Sequence, residues 1–441
     1  MADFRSIRSE LRPTLALALP MIVGQVSQML IGLTDNAFIG RVGTVSLAAA
    51  AFTHGIFGIF YIAGIGLLLP VGVFTARDHG SGDHAGCATW LRHGRTMALL
   101  VGGTAFGALA ALSTQLHRFG QPPEVVAIMT PFFLLIAASL VPVLYFQVQR
   151  QYLDALGRPW VGTSLMLGDI GLNALLNWIL IWGHWGAPAL GLAGSGLATL
   201  LARLTVVAAI GFWLRREERA AGGLSAEWAW VRFRAMLQMG VPAAGCLLFE
   251  SGAFASAALM MGWLGAASLA AHQIALSCAS LPFMFPLGLS MAASIRISKA
   301  LGGGRRDVLR SIGFGALGLS STVMLGFAMI FMLGGSGLAR AFTADAEVVG
   351  IATRLLVVAG FFQLFDGAQV VSSGALRGLT DVRVPTVITF VAYWVVSLPL
   401  GYLLAFRSPL GPVGVWTGLA AGLACAALLL GWRFHRLTLL R

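Results

Sequence analysis

Residues 46–76 read SLAAAAFTHGIFGIFYIAGIGLLLPVGVFTA, a run without a single Asp, Glu, Lys or Arg. A helix rises 1.5 Å per residue and a bilayer's hydrocarbon core is about 30 Å thick, so roughly 20 such residues cross it. This run is long enough to span with turns to spare. Similar runs fill the chain almost from end to end. Of its 441 residues 58% are apolar and 10% charged, against roughly 25% charged residues in a soluble domain, which leaves no room for a large water-soluble domain. Breaks at charged or Gly/Pro-rich punctuation divide the chain into twelve spans, near 15–39, 46–76, 95–116, 125–149, 160–183, 190–214, 236–263, 268–297, 311–335, 348–375, 383–406 and 411–432. The fold class is therefore an all-α polytopic membrane protein of twelve transmembrane helices.

The opening stretch also recurs. Pro20, Gly43, Ser46-Leu47-Ala48-Ala49, Gly66, Gly80 and Gly82 return 222 positions later as Pro242, Gly265, Ser268-Leu269-Ala270-Ala271, Gly288, Gly302 and Gly304. Phe119, Glu124-Val125-Val126 and Thr130 return at a shift of 223, and Ala155-Leu156, Gly191 and Gly194 at a shift of 220. Blocks in the same order at nearly one offset mark an internal repeat. Six spans per copy is an even number, so both copies keep the same orientation, as in parallel repeats related by an axis along the membrane normal. Two six-helix lobes are expected, over 1–219 and 233–441, joined by a cytoplasmic linker at about 215–232. The substrate path is expected between them.

Charge sets the orientation. With the N-terminus inside, Arg77, Arg92, Arg95, Arg215, Arg216, Arg219, Arg305 and Arg306 fall on the cytoplasmic side, and only Arg41, Arg118, Arg340 and Arg407 outside. Both termini are thus expected in the cytoplasm, with the chain multi-pass in a bacterial-type inner (plasma) membrane. This bias accounts for the net charge of +12 without a nucleic-acid partner. Arg5, Arg8 and Arg12 resemble the start of a signal peptide, but the apolar run that follows exceeds the roughly 7–15 residues of a signal core and reads as an uncleaved first helix. Cys87, Cys246, Cys278 and Cys425 lack C-x-x-C spacing, so neither a disulfide framework nor a zinc site is indicated. The only lysine, Lys299, is followed by Ala300, which rules out the G-K-[ST] of a phosphate-binding loop and with it ATP hydrolysis. A membrane-embedded enzyme is a remote alternative, with no H-E-x-x-H and no Ser/Lys or His/Cys cluster to carry it.

Leu33-Thr34-Asp35 with Gly40, the stretch Leu153-Asp154-Ala155-Leu156-Gly157-Arg158-Pro159, Ala271-His272-Gln273-Ile274-Ala275 with Pro282 and Pro286, and Phe362 to Gln369 running on to Leu376-Arg377-Gly378 resemble the multidrug and toxic compound extrusion (MATE) transporters, particularly their NorM-like branch. The resemblance spans essentially the whole chain. It implies a central V-shaped cavity between the two lobes, and export of organic cations or amphiphilic toxic compounds driven by Na⁺ or H⁺. The coupling ion would be the only cofactor, and one chain with both lobes suffices as a functional monomer.

A charge at the bilayer centre costs about 2.5–3.5 kcal/mol on insertion scales, so a carboxylate there needs a proton, a cation or an Arg. Four qualify: Asp35, Asp169, Glu250 and Asp366. Glu250 and Asp366 lie mid-span with no intramembrane Arg or Lys close in sequence. Desolvation disfavours a bare anion, and carboxylate oxygens also suit Na⁺, so either can couple transport. The family resemblance places both at cation-site positions. Asp35 lies about 9 Å along its helix from Arg41 and by resemblance meets substrate or a proton, with Asn36 as a neighbour. Asn173 and Asn177 share one helical face and can bond Asp35, substrate or a neighbouring helix.

Asp169 and Arg203 lie at about 14 Å and 12 Å from the cytoplasmic ends of spans 5 and 6, so a structural ion pair between them is expected. Gln25, Gln28, Gln273, Gln363 and Gln369 can line the cavity or pack helices. Phe365, Tyr61, Tyr145, Tyr393 and Trp394 can stack on flat cations. Pro20, Pro242, Pro282 and Pro286 free backbone groups and mark bending points. The closest rival function is a lipid-linked precursor flippase of similar architecture. A pyrophosphate substrate would demand several positive charges, whereas the intramembrane charge here is mainly acidic, with Arg203 and Arg354 as exceptions.

Overall fold

The computed structural model describes residues 4–120, 122–220 and 228–439, with the backbone alone for 4–7 and 217–220. Residues 221–227 of the expected linker, and the side chains of Arg5 and Arg219, lie outside the described residues. Among the described residues all regular elements are helical, and twelve helices are long and apolar enough to cross a membrane: α1 (Arg8–Val42), α2 (Thr44–Ser81), α3 (His84–Ser113), α4 (Pro123–Ala155), α5 (Pro159–Trp182), α6 (Leu192–Arg216), α7 (Trp230–Trp263), α8 (Ala266–Gly302), α9 (Arg306–Phe342), α10 (Ala346–Gly378), α11 (Arg383–Phe406) and α12 (Pro412–Leu439). Each expected span coincides with one of them. Several run on by a turn or more past the apolar stretch, because helical hydrogen bonding does not stop where hydrophobicity does.

The repeat is visible in the turns. Gly43 between α1 and α2 has φ 149°, and Gly265 between α7 and α8 has φ 114°, values that a side chain disfavours. Asp83 caps α3 by accepting from the Gly86 N–H at 2.7 Å, and Asp345 caps α10 by accepting from Glu347 and Val348 at 2.9 and 3.2 Å. Prolines interrupt the hydrogen-bond ladder: α2 breaks at Leu69 before Pro70, and residues 391–397 of α11 are π-helical just before Pro399.

The chain forms two compact units. One is Val23–Ala244; the other is Met1–Ile22 together with Gly245–Arg441. The start of α1 thus packs with the second half of the chain, and the start of α7 with the first. The cuts after Ile22 and after Ala244 are 222 positions apart, the shift of the repeat itself.

In Val23–Ala244, Phe132, Phe133 and Leu144 of α4 form the core with Leu91 and Met97 of α3 and Ile210 of α6. In the other unit, α10 packs on α8, α9 and α12, and its Leu355 and Phe362 join Tyr393, Trp416 and Leu423 in the core. Lipid tails are as apolar as Leu, so helix association in a bilayer relies on close backbone approach at small residues. A Cβ built on Gly374 or Gly378 of α10 would lie 2.5 or 2.6 Å from the carbonyl oxygens of Ser290 or Ser294 of α8. On α12 the ladder Gly414, Gly418, Gly422 does the same against α11, with Gly418 meeting the Gly401 Cα at 2.4 Å.

Candidate functional site

Each unit holds carboxylates within its apolar helices, of which Asp35 and Asp366 are buried. In Val23–Ala244, Asp35 of α1 is 5% exposed. Its Oδ1 accepts from Asn177 Nδ2 at 2.8 Å and its Oδ2 from Thr199 Oγ1 at 3.4 Å. Asn177 Nδ2 also donates to Asn173 Oδ1 at 3.1 Å. Asn173 and Asn177 are one turn apart on α5, so a single face delivers both amides. Of the two asparagines expected beside Asp35, Asn177 bonds it directly and Asn173 bonds Asn177. Thr199 was not anticipated, although Ser195, Thr199 and Arg203 at four-residue spacing on α6 form a polar stripe that signals it. Asn36 is exposed and takes no part in these bonds, since the next residue on a helix points about 100° away. Gln28, two turns before Asp35 on the same face, donates to Tyr61 Oη.

The expected Asp169–Arg203 ion pair is not formed. Arg203 Nη1 instead donates to Ser139 Oγ at 2.6 Å, and the guanidinium lies 5.3 Å from the Phe57 ring centroid. Asp169 Oδ1 is buried without a hydrogen-bond partner. Matched depth on neighbouring helices does not fix azimuth, and the α6 face bearing Arg203 turns its guanidinium to α4. The charge still reaches Asp35, Asp169 and Tyr61 electrostatically.

In the other unit, Asp366 of α10 is 5% exposed and its Oδ1 has no partner. Glu250 of α7 lies close enough for the two carboxylates to feel each other's charge, and Gln369, almost one turn beyond Asp366, lies near Glu250. Tyr393 is fully buried within electrostatic reach of both, its hydroxyl unpartnered. The π-helical part of α11 sets the position of α7 here: Trp394 Nε1 donates to the carbonyl of Phe249 at 3.0 Å, and Phe390 meets the Phe249 ring at 5.0 Å. Arg377 places a positive charge within reach of Glu250. It is eleven residues from Asp366, three helical turns on one face, which is the signal in the sequence for it.

Phe365 is half-buried beside this cluster, within the α10 packing. Gln273 is exposed and its side chain makes no hydrogen bond. Its neighbour His272 is the buried one, accepting from Trp416 Nε1 at 3.1 Å. Gln363 donates to the carbonyl of Ala279 at 3.1 Å, a helix-packing bond. Among the described residues no group of three or more His, Cys, Asp or Glu is arranged to hold a metal. The Glu250 and Asp366 carboxylates, with the unpartnered Gln369 Oε1 and Tyr393 Oη, are nonetheless an all-oxygen set suited to a proton or a hard monovalent cation.

Twelve apolar helices with carboxylates among them define a polytopic membrane protein. The MatE family model matches residues 20–179 and again 242–403, two copies beginning 222 positions apart. Curated relatives include the probable multidrug resistance protein NorM of Mesorhizobium japonicum, 36% identical over 97% of this chain and 94% of that one. The protein of the same name from Pseudomonas putida is 36% identical over 97% and 96%. Among solved structures, a MATE transporter in the bent conformation superposes with a TM-score of 0.90 at 20% identity, covering 98% of this chain and 97% of that one. The Vibrio cholerae MATE transporter VcmN gives 0.87 at 21% identity, covering 98% of each. The chain belongs to the MATE family of membrane transporters, related to NorM, and is not an enzyme.

Proposed function

We propose that the chain is a secondary active multidrug exporter that takes in Na⁺ or H⁺ and expels organic cations or amphiphilic toxic compounds. The observation that carries this reading is the Glu250–Asp366 pair, two neighbouring carboxylates in an apolar helix bundle with Asp366 Oδ1 unpartnered. Such a pair takes up positive charge from either side of a membrane. In the cycle, the coupling ion neutralises Glu250 and Asp366 from outside and disfavours a bound organic cation. Ion release inside restores the negative charge and the next organic cation binds. Alternating access of the two repeats exposes the sites to each side in turn. Asp35, held ready by Asn177 and Thr199, serves as a further proton or substrate site. Both termini lie in the cytoplasm, the membrane is the bacterial inner membrane, and one chain works alone. The names of the NorM relatives support the substrate class.

A lipid-linked precursor flippase remains the second reading because Arg203 and Arg377 place positive charge near each cluster. The acidic groups outnumber them, and acidic sites select cations. Dye efflux from proteoliposomes under an imposed Na⁺ or pH gradient tests the proposal. Efflux that follows one gradient supports the exporter and names its ion; indifference to both moves the case to the flippase.

A further inference from the structure

Two ion pairs occupy the same place in the two repeats with their charges exchanged. In Val23–Ala244, Arg232 at the start of α7 faces Asp83, just past the end of α2, with Nη2 4.0 Å from Oδ2. The same guanidinium lies 3.7 Å from Asp78 Oδ2, donates to the Gly86 carbonyl at 3.1 Å and sits 5.1 Å from the Trp90 ring centroid. Trp90 Nε1 in turn donates to Asp78 Oδ2 at 2.7 Å. In the other unit, Glu10 at the start of α1 faces Arg305, just past the end of α8, at 3.9 Å. Glu10 is also paired with Arg296, whose Nη1 donates to the Glu10 carbonyl at 2.8 Å and to Thr14 Oγ1.

Under the 222-position shift, Glu10 corresponds to Arg232 and Asp83 to Arg305. The register is fixed by identities on both sides, Arg12 with Arg234, Leu15 with Leu237, Pro20 with Pro242, and Gly82 with Gly304. The same shift relates the nearest backbone contacts. A Cβ on Gly66 of α2 would lie 2.3 Å from the Ala244 Cα, and a Cβ on Gly288 of α8 would lie 3.0 Å from the Ile22 Cα. Gly66 corresponds to Gly288, and Ile22 to Ala244. The glycine seams are therefore alike in the two places, while the charges beside them are opposite.

We propose that Glu10 and Arg232 are positioning residues in a charge-reversed pairing code, which assigns the start of each repeat's first helix to the second helix of the other repeat. Consider the unexchanged arrangement. Glu10 would meet Asp78 and Asp83 on α2, and Arg232 would meet Arg296 and Arg305 on α8, like charges at both ends. Only the exchanged arrangement brings opposite charges together, so the code works by repulsion as much as by attraction. The code also acts on the carboxylates. α1 runs on from Glu10 past Ile22 to Asp35, and α7 runs on from Arg232 past Ala244 to Glu250, so each pairing sets the rotation and axial register of a helix that carries one. The two pairings are not equal in strength. In the equivalent pairs Arg305 is 65% and Asp83 47% exposed, where solvent weakens an ion pair, but Glu10 has a second partner in Arg296, only 17% exposed.

The test uses the full chain, purified, with melting temperature in detergent and dye efflux after reconstitution as readouts. Glu10→Arg lowers the melting temperature and cuts efflux about tenfold or more, the effect of like charges brought together. Arg232→Glu does the same to a smaller degree, and Arg232→Lys keeps most of both. Glu10→Arg with Arg296→Glu and Arg305→Glu recovers both readouts. The code is wrong if the triple variant is no better than Glu10→Arg. Absence of efflux from the wild type would sink the transport reading alone, and the order of melting temperatures would still decide the code.

Discussion

Asp366 is 5% exposed and has a carboxylate oxygen with no protein partner. An isolated anion there is costly, and Asn at the same position removes the charge while keeping the shape. Asp366→Asn is expected to abolish ion-driven efflux and leave the amount of protein in the membrane unchanged; normal efflux by that variant would remove Asp366 from the coupling step. A second residue-scale expectation concerns Arg150 and Asp154, both 1% exposed and 3.8 Å apart near the end of α4. Removing one partner of a buried pair typically costs about 3–5 kcal/mol, whereas replacing both by apolar residues costs far less. Arg150→Met should therefore lower the melting temperature strongly and Arg150→Met with Asp154→Leu should restore much of it; equal melting of the two variants would mean that the pair is not coupled. Asp35, Glu250 and Asp366 were legible in the sequence because a carboxylate in a long apolar run has few reasons to be there. Thr199 and the turn of Arg203 toward Ser139 were not, because spacing gives a residue's face but not the neighbour which that face meets.

Helices are specified here at two levels. Hydropathy gives their number and approximate place, which is why all twelve spans were legible. Their packing depends on single small residues that hydropathy scores as neutral. Gly66 and Gly288 show how little room there is, since each Cβ would run into backbone of the crossing helix, at Ala244 and Ile22. Backbone cannot step aside as a side chain can. Gly66→Ala and Gly288→Ala are each expected to destabilise by about 1–3 kcal/mol, the range for overpacked sites, and to do so to a similar degree because the repeat makes the sites equivalent. Gly318, with open space around it, is the control, and Gly318→Ala should leave the melting temperature unchanged. The π-helical segment 391–397 shows what periodicity conceals. Pro399 removes a hydrogen bond, but which i→i+5 arrangement the helix then takes depends on Trp394 reaching the Phe249 carbonyl, a contact 145 residues away in sequence.

At the scale of the whole molecule, the chain is one six-helix plan written twice and then given different chemistry in each copy. Position 28 is Gln and its equivalent, 250, is Glu; position 35 is Asp and its equivalent, 257, is Ala. The repeat was legible from its glycines and prolines, whereas the exchange of helix starts at Ile22 and Ala244 was not, since it depends on which of two similar seams each helix enters. The unequal chemistry has a measurable consequence. If Glu250 and Asp366 each take up one monovalent ion per cycle while one monovalent organic cation leaves, every turnover moves one net positive charge inward. A potential of 100 mV, negative inside, is worth about 2.3 kcal/mol per charge, enough to raise the outward organic-cation gradient at balance roughly 50-fold. Proteoliposomes with matched ion concentrations and an imposed inside-negative potential should therefore expel the cation, and Glu250→Gln, which leaves a single titrating carboxylate for the one-for-one exchange, should lose the response to potential before it loses exchange itself. Wild-type efflux that ignores the potential would mean that only one of the two carboxylates carries an ion.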